Sequence, residues 1–131
     1  MFISRECDYA IRMVRALSDM QVKPVRQLCE EETVPIPYAY KILKRLDIAG
    51  IVKSHRGPSG GYSLAKETSQ LTMYDVVVSV CDELLINECI RDGYQCPNNS
   101  DSGLCKVHTE MRRLQTLVFE GLKEKPFNKL L

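Results

Sequence analysis

The stretch from 42 to 64, I-L-K-R-L-D-I-A-G-I-V-K-S-H-R-G-P-S-G-G-Y-S-L, leaves this chain few folds to choose from. A helical apolar period runs into Gly50, which ends it as a C-cap glycine. Residues 51–55 then read as a short strand, 56–61 as a loop needing glycine's backbone freedom, and 62–64 as a return strand. Helix, strand, glycine hairpin and strand, in that order, outline a winged helix, which is a DNA-binding shape. The competing reading is a small helical domain with a solvated basic face.

Upstream, Ser4 can cap a first helix with Cys7, Ala10, Ile11, Val14 and Leu17 on one stripe, ending near Ser18. Pro24 opens a second helix over 25–32, with Val25, Leu28 and Cys29 inward. Pro35 and Pro37 force a tight connection. A third helix follows over 37–49, with Tyr38, Ile42, Leu43, Leu46 and Ile48 available to the core. The second and third helices form a helix-turn-helix candidate. Its recognition helix would place Tyr38, Tyr40 and Lys41 near base edges and Lys44 and Arg45 nearer phosphates. Arg56, with Ser59 at the wing tip, would probe the adjacent minor groove.

After the wing, 71–81 reads as a fourth helix capped by Thr72, although Val76-Val77-Val78 leaves a strand open. Residues 82–103 lack a period and are too polar and turn-rich for core. A loop of that length is usually functional or disordered. A long helix from near Leu104 carries Val107, Met111, Leu114, Val118 and Leu122 on a heptad-like seam, which suggests pairing with a second copy. Pro126 breaks it and leaves Phe127, Leu130 and Leu131 as an apolar tail. The expected fold class is therefore mainly α with a small β-wing. Residues 1–80 form a winged helix-turn-helix, and 81–131 a cysteine loop with a dimerisation helix.

Net charge is only +1 over 131 residues, which argues against a generic nucleic-acid binder. The charge is polarised, however. From Tyr38 to Arg56, Lys41, Lys44, Arg45, Lys53 and Arg56 face Asp47 alone. From Asp82 to Gly103 the balance is acidic, with Asp82, Glu83, Glu88, Asp92 and Asp101 against Arg91. A local basic face suffices for phosphate binding. Arg5, Glu6 and Asp8 stand where a secretory signal would need its apolar run, and no apolar stretch approaches membrane-spanning length. Six cysteines in such a chain read as thiols or metal ligands in a reducing cytoplasm.

The segment from Tyr38 to Leu64 resembles the winged-helix bacterial regulators typified by IscR, NsrR and RirA. Their pattern Y-x-x-K-I-L-x-x-L-x-x-A-G-(I/L)-V-x-S-x-R-G-x-x-G-G-Y-x-L is matched almost position by position. The likeness extends to Asp8-Tyr9-Ala10-Ile11-Arg12 and to Thr72-Met73-Tyr74-Asp75-Val76-Val77. It implies a homodimer on a partly palindromic double-stranded DNA operator, with Arg56 in the minor groove. Pro35 and Pro37 depart from the Ser or Thr that relatives often carry, which bears on the bases read rather than on the docking mode.

Beside that resemblance, Cys89-x6-Cys96-x8-Cys105 is too widely spaced for a zinc knuckle but suits a loop around an iron–sulfur cluster. Two alternative fourth ligands stand out. His108 follows Cys105 by three residues, similar to the cysteine-x2-histidine of IscR and its [2Fe–2S] cluster. Asp8 matches the carboxylate that NsrR relatives donate from the partner subunit to a [4Fe–4S] cluster. The spacings look nearer RirA, so both cluster types stay open, with zinc or a metal-free thiol switch as alternatives. Cys7, Cys29 and Cys81 read as small buried hydrophobes, and His55 as a solvated or phosphate-facing wing residue.

No phosphate-binding loop followed by lysine or nucleophile elbow is present, and Cys105 with His108 lacks an orienting acid, so an enzyme finds no support. The functional expectation is a cytoplasmic, homodimeric transcription regulator, a repressor. Its cluster would sense iron, redox state, oxygen or nitric oxide. The alternative is a cluster-free thiol-sensing or partner-controlled regulator with the same head.

Overall fold

The structure is a computed structural model and describes residues 2–98 and 105–131. It contains α1 (Arg5–Ala16), α2 (Val25–Glu32), α3 (Ile36–Ile48), β1 (Val52–His55), β2 (Gly61–Leu64), α4 (Met73–Val80) and α5 (Lys106–Glu124). The fold is the expected one: mainly helical, with a two-stranded antiparallel wing. Expectations about Asn99, Asp101, Ser102, Gly103 and the helix start at Leu104 lie outside the described residues.

α1 and α4 start where a side chain supplies a partner for an orphan backbone group. Ser4 Oγ accepts the Cys7 N–H at 3.3 Å, opening α1. At the other end Lys23 Nζ donates to the Ala16 carbonyl at 2.7 Å. Thr33 ends α2 in the left-handed region at φ 54°. In α4, Thr72 and Asp75 form a reciprocal capping box: Oγ1 of Thr72 accepts the Asp75 N–H, and the carboxylate accepts the Thr72 N–H at 2.8 Å. That cap decides the 71–81 segment for helix over strand.

The core gathers Met13 and Val14 of α1 with its C-cap Leu17, Leu28 of α2, Ile42, Leu43 and Leu46 of α3, and Val76 and Val77 of α4. On α3 the buried set is Ala39, Ile42, Leu43 and Leu46, a strict i, i+3, i+4, i+7 stripe. Tyr38 and Ile48, expected to be available to the core, fall off that phase. Both are exposed, Ile48 by 79%.

Residues 82–98 are less detached than their polarity suggests. Leu84 and Ile90 are buried, Ile90 within a 3-10 turn over Glu88–Ile90. Gln115 of α5 clamps this segment: its Oε1 accepts the Ile86 N–H at 2.9 Å and its Nε2 donates to the Leu84 carbonyl at 2.7 Å. The expectation of a segment too polar for core is corrected at these two residues.

No residue of α5 itself is buried. Phe119 and Leu122 lie against the core, and the Tyr74 and Phe119 rings meet edge-on at 5.3 Å. Beyond Pro126 the chain folds back. Phe127 is 2% exposed in the core and donates its N–H to the Leu71 carbonyl at 2.7 Å, while Leu130 and Leu131 stay exposed. The tail is thus apolar as read, but its first residue is core.

Candidate nucleic-acid interface and cysteine loop

The wing is a hairpin with Val52 opposite Leu64 and His55 opposite Gly61. It does not stand alone. Tyr62 and Lys23 exchange two backbone hydrogen bonds, each 2.9 Å, pinning β2 to the α1–α2 connection. Lys23 is itself fixed by Glu31 at 3.1 Å and Asp19 at 3.2 Å. Burial pulls its ammonium pKa down, but those two carboxylates outweigh it and raise it above the ordinary lysine value. Gly61 must be glycine, because a Cβ there would lie 2.0 Å from the Lys23 carbonyl oxygen. His55 turns inward rather than to solvent, its Nε2 2.8 Å from Ser63 Oγ. Arg56, Gly57, Pro58 and Ser59 form the exposed tip, and Arg56 has no ion pair among the described residues.

On α3 the side chains expected to meet DNA divide into two sets. Tyr40 and Lys44 are exposed, and Lys44 makes no ion pair among the described residues. Tyr38 is exposed with its ring edge-on to Tyr9 at 5.7 Å. Lys41 and Arg45 are matched inside the chain. Glu6 of α1 takes Lys41 at 2.5 Å and Arg45 at 3.6 Å. Arg45 also donates to the Val80 carbonyl at 2.6 Å and pairs with Asp82. The pairing of Glu6 and Asp82 with these cations is not legible in the sequence, since contacts spanning 35 and 37 residues leave no local signal. Arg45 therefore joins the recognition helix to the first residue of the cysteine loop.

The six cysteines separate by environment. Cys7 and Cys29 are buried. Burial, then the nearby Glu30, pushes the Cys29 thiol up. Cys81 is half-buried, packs against the core, and donates to the Glu83 carbonyl at 3.1 Å. Burial and its neighbour Cys7 raise it as well. Cys89 lies in the 3-10 turn that packs on α5, Cys96 in the polar segment beyond, and Cys105 at the N-cap of α5, all half-buried. Alkylation under native conditions should therefore label Cys89, Cys96 and Cys105 well before Cys7 and Cys29, as read by peptide mass mapping. Equal rates for all six would contradict this division.

The donor set suits an iron–sulfur centre in kind. Three thiols sit outside the core, and His108 Nδ1 is buried without a hydrogen-bond partner among the described residues. The set is not gathered in this single chain: among the described residues no three Cys, His, Asp or Glu side chains converge enough to hold a metal ion. Asp8, the alternative ligand, is held by Arg12 through contacts of 3.0 and 3.2 Å. It borders a cavity of about 310 Å³ with Ile3, Ser4 and Arg5. No helix among the described residues is long and apolar enough to cross a membrane.

Comparison with known proteins agrees with this construction. The chain is 26% identical over 111 residues to the HTH-type transcriptional regulator IscR of Vibrio atlanticus, covering 82% of this chain and 60% of that one. In fold it is similar to the solved T. potens IscR, with a TM-score of 0.76 at 18% identity over 98% of this chain and 84% of the other. It is equally similar to CymR (YrzC), the global cysteine regulator of B. subtilis, with a TM-score of 0.75 at 21% identity over 98% and 94%. The family model described as Rrf2, iron-dependent transcriptional regulator, matches residues 3–131. This chain belongs to the Rrf2 family, IscR-like transcription regulators rather than enzymes.

Proposed function

We propose that this protein is a cytoplasmic, homodimeric repressor whose operator binding is governed by an iron–sulfur cluster held by Cys89, Cys96 and Cys105. His108 and Asp8 are the alternative fourth ligands, and [2Fe–2S] and [4Fe–4S] the candidate clusters. When bound, such a cluster supplies a redox- and ligand-sensitive tie among its thiolates. Residues 1–80 act as the reading head and 81–131 as the control and pairing arm. The observation that carries this reading is the Arg45 bridge to Asp82 and the Val80 carbonyl. A rearrangement of the cysteine loop reaches the recognition helix through that bridge. The exposed, largely unburied α5 supports pairing with a second copy, and the surface wing supports DNA contact.

Tyr38, Tyr40, Lys41, Lys44, Arg45, Arg56 and Ser59 form the DNA-contact set, with Lys41 and Arg45 exchanging Glu6 and Asp82 for phosphate. The experiment is anaerobic purification with iron, sulfide and absorption measurements, repeated for His108→Ala and Asp8→Ala. Iron-free, colourless protein with full operator affinity would favour the cluster-free thiol regulator instead. Arg56→Ala should weaken specific binding by about 1–3 kcal/mol in a fluorescence-anisotropy titration. Unchanged affinity would reduce the wing to a scaffold.

A further inference from the structure

The outward face of α3 is apolar at its N-terminal end. Ile36, Tyr40, Lys44 and Ile48 recur every four residues and are all exposed, so they form one row outside the buried set of Ala39, Ile42, Leu43 and Leu46. Pro37 lies exposed beside Ile36. The helix contains no Asn, Gln, Ser or Thr, so it lacks the side chains that pair with adenine. Its Lys41 and Arg45, which could address guanine, pair with Glu6 and Asp82 in the free chain and go to phosphate in the reading above. What remains for direct readout is apolar surface flanked by cations without ion pairs among the described residues, Lys44, Lys53 and Arg56. In the major groove the apolar feature that distinguishes one base from the others is the thymine C5-methyl.

We propose that Ile36, Pro37 and the Tyr40 ring are specificity-determining residues that recognise thymine methyl groups in each half-site. The inference rests on the DNA-binding reading above and names the base feature it uses. N-terminal residues of a recognition helix meet base edges, and Ile36 and Pro37 occupy that first turn. Lys44, two turns further along the same stripe as Ile36, is left to a phosphate. The framing cations favour nucleic acid over an apolar protein surface as the occupant of this face.

The test uses the full chain and double-stranded DNA selected by it from a random-sequence pool. Each thymine of the enriched half-site is replaced singly by deoxyuridine, which keeps base pairing and removes only the methyl. One or two positions should lose about two- to fourfold in affinity, the size expected for one buried methyl. Ile36→Ala and Tyr40→Ala, both at exposed positions, should fold normally by circular dichroism and bring the thymine-to-uracil ratio to one at their own position. A ratio that persists in both variants would assign the effect to DNA shape and overturn the proposal. Enriched duplexes indifferent to uracil would overturn it while leaving DNA binding intact. A pool with no enriched duplex would overturn both.

Discussion

Replacing Phe127 by Ala is expected to lower unfolding free energy by about 3–5 kcal/mol, measured as a shift in the urea midpoint. The residue follows the helix-breaking Pro126, where a tail is ordinarily dispensable. Here its ring is 2% exposed within the core, and its N–H is bonded to the Leu71 carbonyl. Thr72 and Pro126 form a backbone bridge beside it, so the returning chain meets α4 at its capped end. Against a typical domain stability of about 5–15 kcal/mol, the loss is large. The exposed Leu130 supplies the control: Leu130→Ala should stay within about 0.5 kcal/mol. Equal, small effects at both positions would mean that the tail is not part of the core.

The contrast between Phe127 and the wing shows what local sequence can carry. Pro24 fixed the start of α2 in advance, and Gly50, Gly60 and Gly61 marked the hairpin, because backbone constraints act within a few residues. Tyr38 is exposed and the smaller Ala39 buried because helical phase, not side-chain size, decides which face packs. Phe127 shows no period to read; its burial depends on docking against Leu71, far away in the chain. The same distance hides Glu6–Lys41 and Arg45–Asp82, so a basic face legible as charge was not legible as charge already matched. Cys89, Cys96 and Cys105 were separable from the buried thiols by their polar setting, but Gln115, which clamps their loop, reads only as a surface helix residue.

Gly61→Ala should be the second severe change, costing about 3 kcal/mol or more through backbone clash and strain. The added Cβ would lie 2.0 Å from the Lys23 oxygen and 2.5 Å from its carbonyl carbon, at a backbone φ of 152°. Neither side can give way cheaply. Lys23 is tied through both backbone groups to Tyr62, and its ammonium to Ala16, Asp19 and Glu31. Relief therefore comes from lifting β2 away, which breaks the two 2.9 Å bonds holding the wing to the head. Gly57 at the tip separates the causes: its φ is 102°, yet a Cβ there meets nothing within 4 Å. Gly57→Ala carries strain alone, about 1–3 kcal/mol at most and less if the tip relaxes. In DNA binding, Gly61→Ala should lose at least as much affinity as Arg56→Ala, since displacing the wing removes Arg56 together with Lys53 and Ser59. Denaturation and anisotropy measured on the three variants together decide the matter. Gly61→Ala with near-native stability and affinity would show that the wing does not need its anchor on Lys23.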